Sequence, residues 1–187
     1  MKKIVILSRK EAVDMLAVPS YNDKVGAVVS ICSPNQSHPK EVSEAKKDKV
    51  VLELKFDDID SQIKKLIEKG MVLRGVKDAV LPSKKHVQTI IDHAEEILET
   101  DKIIICHCQA GISRSAAAAY VLKCLDLGKG KEEEALLELL RNRGGISPND
   151  LMIDIAQEIL GEEWDLKTPI ENLNELKLKA YYQKKRD

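Results

Sequence analysis

Three short runs of consecutive apolar, largely β-branched residues punctuate the chain: Lys3 to Leu7, Val25 to Ile31 and Lys102 to Cys106. Apolar side chains at successive positions bury both faces of a strand, as in a parallel sheet covered on two sides. Val50 to Phe56 alternates apolar with polar positions and predicts a half-buried fourth strand. Helical patterns lie between these runs. Arg9 to Leu16 and Gln62 to Lys69, the latter closed by Gly70, predict short helices, and Ser83 can cap a longer one. In that longer helix Val87, Ile90, Ile91, Ala94, Ile97 and Leu98 form one apolar stripe at a spacing of 3.6. The alternation of strand and helix predicts an α/β fold: a central four-stranded, mainly parallel sheet flanked by helices. The C-terminal third reads as helical throughout, with helices expected over Ser113 to Leu127, Lys131 to Asn142 and Pro148 to Leu160. Pro148 is expected at the start of the last of these and Gly161 at its end. Residues 1–170 thus read as a single domain and 171–187 as a charged C-terminal helix or tail.

At 187 residues, 43% of them apolar, the chain is long enough to build one core without disulfides or a structural metal. Lys and Arg number 30 against 31 Asp and Glu, so no global positive field recruits nucleic acid or an anionic membrane. Any anion site must be local. No apolar run reaches the length of a membrane span, and the segment Met1 to Leu7 is too short for the core of a signal peptide. A cytoplasmic location is therefore expected. The four Cys residues, at 32, 106, 108 and 124, lack the spacing of a disulfide scaffold and must be read one by one.

Chemistry concentrates in Ile103-Ile104-Ile105-Cys106-His107-Cys108-Gln109-Ala110-Gly111-Ile112-Ser113-Arg114-Ser115, where a buried strand runs into a loop and then into a helix. At the carboxyl end of a parallel strand, such a loop turns successive backbone N–H groups inward, and the following helix adds positive partial charge. The backbone of Gln109, Ala110, Gly111, Ile112 and Ser113 is expected to cradle a phosphoryl group. Cys108 stands at the start of this cup, where N–H donors and a guanidinium favour the thiolate and make it a nucleophile. Arg114 can return to the rim and hold two equatorial oxygens, a task for a planar fork rather than a point charge. Gly111 lets the loop curl, and Ser115 can donate to the sulfur. Cys106 and Cys124 read as core residues, and a nucleotide-binding P-loop is excluded because no Gly-Lys-Ser or Gly-Lys-Thr follows Gly111.

His-Cys-Gln-Ala-Gly-Ile-Ser-Arg-Ser resembles the His-Cys-x5-Arg-Ser signature of the Cys-dependent protein tyrosine phosphatase superfamily, in its dual-specificity form. Ile146-Ser147-Pro148-Asn149 is similar to the segment that opens a later helix in dual-specificity phosphatases. Val80-Leu81-Pro82-Ser83 and His86-Val87, followed by Ile90-Ile91-Asp92, resemble compact prokaryotic members. The resemblance implies hydrolysis of a phosphomonoester through a phosphocysteine, with no metal and no organic cofactor. It also implies that His107 hydrogen-bonds backbone near the cup and that an Asp on a separate loop protonates the leaving oxygen. In Phe56-Asp57-Asp58-Ile59-Asp60, Asp58 matches that acid by register, with Asp57 and Asp78 as competitors. Ser61 to Lys77 reads as an inserted helix and turn. Cys32, at the end of the second strand, resembles in placement the Cys of tensin-like lipid phosphatases that bridges reversibly to the nucleophile. It is thus a possible redox partner of Cys108.

The expected partners are a phosphorylated protein or a small phosphomonoester, with neither membrane nor nucleic acid. Uncharged Gln109 and Ile112 in the loop favour a phosphoprotein over a highly phosphorylated inositol. An inositol-phosphate or RNA 5′-triphosphate phosphatase with the same loop, and a non-catalytic phosphate-binding module, are the alternatives.

Overall fold

β-branched and apolar residues condense into four strands, β1 (Ile4–Ser8), β2 (Val25–Cys32), β3 (Val50–Lys55) and β4 (Ile103–Cys108), in a computed structural model that describes residues 2–71 and 78–185. They form one sheet of order β1-β4-β2-β3 in which every neighbouring pair is parallel. All four carboxyl ends therefore emerge at one edge. β4 runs two residues further than its apolar run predicts, because Leu7 pairs with His107 and Ser8 with Cys108. The polar and thiol side chains that end the apolar pattern are carried along by β1.

Between β1 and β2 lie α1 (Arg9–Ala17) and a single turn, α2 (Pro19–Asn22); α3 (Lys40–Ala45) leads into β3, and α4 (Ser61–Glu68) follows it. Ser8 and Glu11 form a capping box at the start of α1, and Asp60 caps α4 by accepting from the Ile63 N–H at 2.8 Å. Part of the predicted insert, residues 72–77, lies outside the described residues.

The stripe begun by Ser83 is built as two helices, α5 (Lys84–Asp92) and α6 (Ala94–Glu99), rather than the single helix that its periodicity predicts. The break falls at His93 (φ −95°, ψ 3°), whose ring Nδ1 sits 2.8 Å from the Thr89 carbonyl and competes for that acceptor. The stripe survives it, with Val87, Ile90, Ala94 and Ile97 all buried.

The C-terminal helices are α7 (Arg114–Leu127), α8 (Glu132–Asn142), α9 (Asp150–Leu160), α10 (Lys167–Glu171) and α11 (Leu173–Lys184). α9 starts after Asn149 and not at Pro148, since the Asn149 amide accepts from the Met152 N–H at 3.0 Å and takes the cap itself. α7 is buried over Arg114 to Cys124, and its Ala116 to Ala119 run lets the backbone lie close against the sheet. The main core thus forms between α5 to α9 and the sheet face that carries Ile104, Cys106 and Cys108. A smaller core joins Ala12, Leu16 and Val42 to the face that carries Val28 and Ile105. α11 sinks Leu176 and Ala180 into the main core, and its Lys179 and Gln183 reach Glu133 and Arg141 of α8. Among the described residues no helix is long and apolar enough to cross a membrane.

One fully buried cation ties the N-terminal strand to this layer. Lys123 Nζ donates to the Lys2 carbonyl at 3.0 Å and meets Asp126 at 3.1 Å and Glu138 at 3.0 Å. Replacing it with an apolar residue takes the cation from two carboxylates and the donor from a carbonyl in a partly buried site, leaving Asp126 the Lys2 N–H at 3.1 Å, a loss of about 3 kcal/mol or more. Lys123→Met is expected to lower the thermal midpoint by roughly 6–12 °C, as read by calorimetry or far-UV circular dichroism.

Candidate active site

The loop from 109 to 113 leaves β4 at the sheet's carboxyl edge and is pressed against the end of β1. Gly111 has φ +70°, and a Cβ there would lie 2.5 Å from both the Leu7 carbonyl carbon and the Ser8 nitrogen. Only glycine passes this point. The Arg9 N–H donates to the Gln109 carbonyl at 3.2 Å, and Arg143 spans from the Ile6 carbonyl and Glu11 to the Ala110 carbonyl. On the far side, the Ser147 N–H donates to the Ile112 carbonyl at 2.9 Å and the Asn149 N–H to the Ser113 carbonyl at 3.3 Å. Gln109, Ala110 and Ile112 are left exposed at the rim.

Cys108 Sγ lies 3.2 Å from Ser115 Oγ, inside the turn. Burial works to raise its pKa, but the Ser115 hydroxyl and the N–H groups of Ser115, Gly111 and Ile112 outweigh it, and the net displacement is downward. Cys106, two residues earlier on the same sheet face, has no such donors and is pushed well above the ordinary thiol range by burial. Cys124 is raised in the same way. The thiolate is thus favoured at one of these buried cysteines and opposed at its neighbours.

Arg114, 4% exposed, is anchored by Nη1, which donates to the Phe56 carbonyl at 2.7 Å and reaches Ser33 Oγ at 3.5 Å. Its Nε is buried without a hydrogen-bond partner among the described residues. Asp58 stands beside it, with Oδ2 3.7 Å from Nε. The other oxygen of Asp58, Oδ1, accepts from Ser113 Oγ at 2.5 Å and from Asn149 Nδ2 at 3.0 Å. Of the three candidate acids, Asp58 is thus brought to the cup. Asp57 turns back to accept from the Val80 N–H at 3.0 Å, and Asp78 lies on the wall of an adjoining cleft of about 490 Å³ that Asp57 and Asp58 also line.

One expectation needs correction. His107 is fully buried, but neither ring nitrogen finds a hydrogen-bond partner among the described residues. Burial lowers its pKa to about 4, and the Cys108 backbone opposes that only in part, since no bond of normal geometry joins it to the ring. Strand alternation explains the miss: His107 points to the sheet face opposite Cys106 and Cys108, across from Ser30 and Leu7. Cys32 does end β2 at the same sheet edge as Cys108, and both thiols are free. Its sulfur, however, is held by Arg9 Nη1 at 3.4 Å, from α1 on the other side of the sheet. A bridge to Cys108 would break that contact.

Sequence reasoning also left two residues unassigned. Arg143 and the side chain of Asn149 both act on the cup from distant parts of the chain. For Asn149 the Ser-Pro-Asn segment was the available signal, whereas a lone Arg143 in a polar turn carries none. No group of three or more His, Cys, Asp or Glu among the described residues is placed to hold a metal ion.

Similar proteins place this geometry in a family. No curated protein sequence matches the chain. Among solved structures, human DUSP28 aligns with a TM-score of 0.56 at 16% identity, covering 83% of this chain and 89% of its own. DUSP15 aligns at 0.54 and 17%, covering 98% and 93%. PTPMT1 in complex with PI(5)P aligns at 0.51 and 16%, covering 95% and 94%. At these identities the likeness speaks for the fold. The family model described as "Polymorphic toxin system, DSP-PTPase phosphatase" matches residues 22–125, more than half of the chain and including the whole Cys108 to Arg114 loop. The chain belongs to this family of dual-specificity-type Cys-based phosphatases and is a phosphoric monoester hydrolase.

Proposed function

We propose that the protein is a tyrosine or dual-specificity phosphatase that works through a phosphocysteine on Cys108. The observation that carries this reading is the convergence of donors on one buried thiol: the Ser115 hydroxyl lies 3.2 Å from Cys108 Sγ, and the N–H groups of Gly111, Ile112 and Ser115 act with it to favour the thiolate against its own desolvation. The Cys108 thiolate attacks phosphorus in line with the leaving oxygen. As the S–P bond forms and the P–O bond breaks, the loop N–H groups and the unpartnered Arg114 Nε stabilise the equatorial oxygens, while the Asp58 carboxyl gives its proton to the departing oxygen. In the second step the Asp58 carboxylate takes a proton from water, whose oxygen attacks phosphorus. The Ser115 hydroxyl stabilises the sulfur as it leaves.

A phosphoprotein is the proposed substrate class, supported by the uncharged rim side chains of Gln109 and Ile112. The PTPMT1 structure with PI(5)P supports a second reading, a phosphoinositide headgroup. Residues 1–170 form the phosphatase domain in this proposal and 171–187 a C-terminal addition, of which α11 is braced on α8. The proposed location is the cytoplasm, where a nucleophilic thiol stays reduced. A turnover panel of phosphotyrosine and phosphothreonine peptides, phosphoinositide, inositol phosphate and triphosphorylated RNA separates the substrate classes.

Cys108→Ser is expected to abolish hydrolysis of p-nitrophenyl phosphate without changing the circular dichroism spectrum. Residual turnover within about tenfold of the wild type overturns the mechanism. Asp58→Asn should lower kcat by roughly 10² to 10⁴ for alkyl phosphates and by much less for p-nitrophenyl phosphate, which needs little protonation. If Asp57→Asn or Asp78→Asn shows that dependence instead, the acid is misassigned. Ser115→Ala removes the largest of the influences that lower the Cys108 pKa. The pH midpoint for alkylation of Cys108 by iodoacetate should therefore rise, and phosphocysteine should accumulate in rapid-quench experiments.

A further inference from the structure

Asp58 is held by donors from two separate elements, and they fall unevenly on its two oxygens. Ser113 Oγ, from the last loop position before α7, and Asn149 Nδ2, from the cap of α9, both donate to Oδ1, at 2.5 and 3.0 Å. Oδ2 has no hydrogen bond among the described residues and is the oxygen nearest Arg114. A carboxyl proton cannot sit comfortably on an oxygen that already faces two donors, so it is directed to the other one. Asn149 is itself fixed. Only 3% exposed, it spends its Oδ1 on the Met152 N–H and its Nδ2 also on the Ile59 carbonyl at 3.1 Å, while its backbone N–H donates to the Ser113 carbonyl. One residue therefore ties the start of α9 to the acid loop at Asp58 and Ile59 and to the loop before α7 at Ser113.

We propose that Asn149 and Ser113 are positioning residues that clamp Oδ1 of Asp58 and so present a protonated Oδ2 to the leaving oxygen. This rests on Asp58 being the general acid. Without the clamp, the carboxyl rotates about its Cβ–Cγ bond, and protons are carried on either oxygen. Protonation of a poor leaving group then suffers most, because its departure depends on a correctly aimed proton.

The readout is the ratio of kcat for p-nitrophenyl phosphate to kcat for an alkyl phosphate. It is measured for the wild type, Ser113→Ala, Asn149→Asp, Asp58→Asn and the doubles of each clamp variant with Asp58→Asn. Asn149→Asp is chosen because Asp caps a helix as well as Asn does, so α9 keeps its start while the amide donor is lost. A thermal midpoint near that of the wild type checks this, and Ser113→Ala, which removes one hydroxyl, serves should α9 be disturbed. The ratio is expected to rise about tenfold or more in each single variant, and adding either clamp change to Asp58→Asn should raise it no further. Equal losses for both substrates, or an unchanged ratio, overturn the clamp while a high ratio in Asp58→Asn leaves the acid assignment standing. An unchanged ratio in Asp58→Asn removes the acid assignment, and the clamp falls with it.

Discussion

Everything at this site depends on one close approach, the passage of the Gly111 backbone over the end of β1. Because β1 and β4 stay paired to their last residues, Ser8 against Cys108, the loop has no room to swing outward and must fold back over the strand ends. A side chain at 111 would collide with the Leu7 and Ser8 backbone. The forced curl is what turns the N–H groups of Gly111, Ile112 and Ser115 toward the sulfur. Burial alone would make Cys108 as inert as Cys106, which shares its strand and its sheet face. The difference between a reactive and a structural cysteine here lies in the seven residues that follow, not in depth.

That difference was legible in the sequence because the strand, loop and helix are contiguous. The apolar run before Cys108, the glycine at 111 and the arginine six residues on all lie within one local pattern. The same locality explains why the sheet and most helices were readable from periodicity, and why errors cluster at element ends. His93 splits a stripe whose burial is continuous, and Asn149 outcompetes Pro148 for a helix start. Both are single side-chain hydrogen bonds that no period records. His107 was misjudged for a related reason. Its neighbours in sequence belong to the cup, but pleating sends its ring to the other face.

What the sequence concealed is contributed from far along the chain. Arg143 grips the Ala110 carbonyl from the turn after α8, and Asn149 reaches the acid loop from the start of α9. Asp58 itself arrives from the end of β3. Three segments converge because the parallel sheet delivers β1, β2, β3 and β4 to one edge, and α9 starts there as well. Phe56 shows how tightly this is arranged. Its ring is buried and stacked on His86 at 4.7 Å, while its carbonyl holds Arg114 and its N–H bonds the Cys32 carbonyl. The side chain anchors in the core while the backbone serves the site.

The electrostatics of the cup then bear on the proposed reaction. The Arg114 side chain is 5% exposed, and among the described residues its buried Nε has no hydrogen-bond partner. Desolvation of this kind is costly unless an anion completes the pair. Asp58 answers it only in part, from 3.7 Å and with its own side chain 41% exposed. A phosphoryl dianion in the cup can approach more closely and with two oxygens, which makes it the better partner for the guanidinium fork. In the proposed mechanism the guanidinium that receives the dianion stands 3.7 Å from the acid, so one cation lies beside both the group that is transferred and the residue that protonates its leaving oxygen.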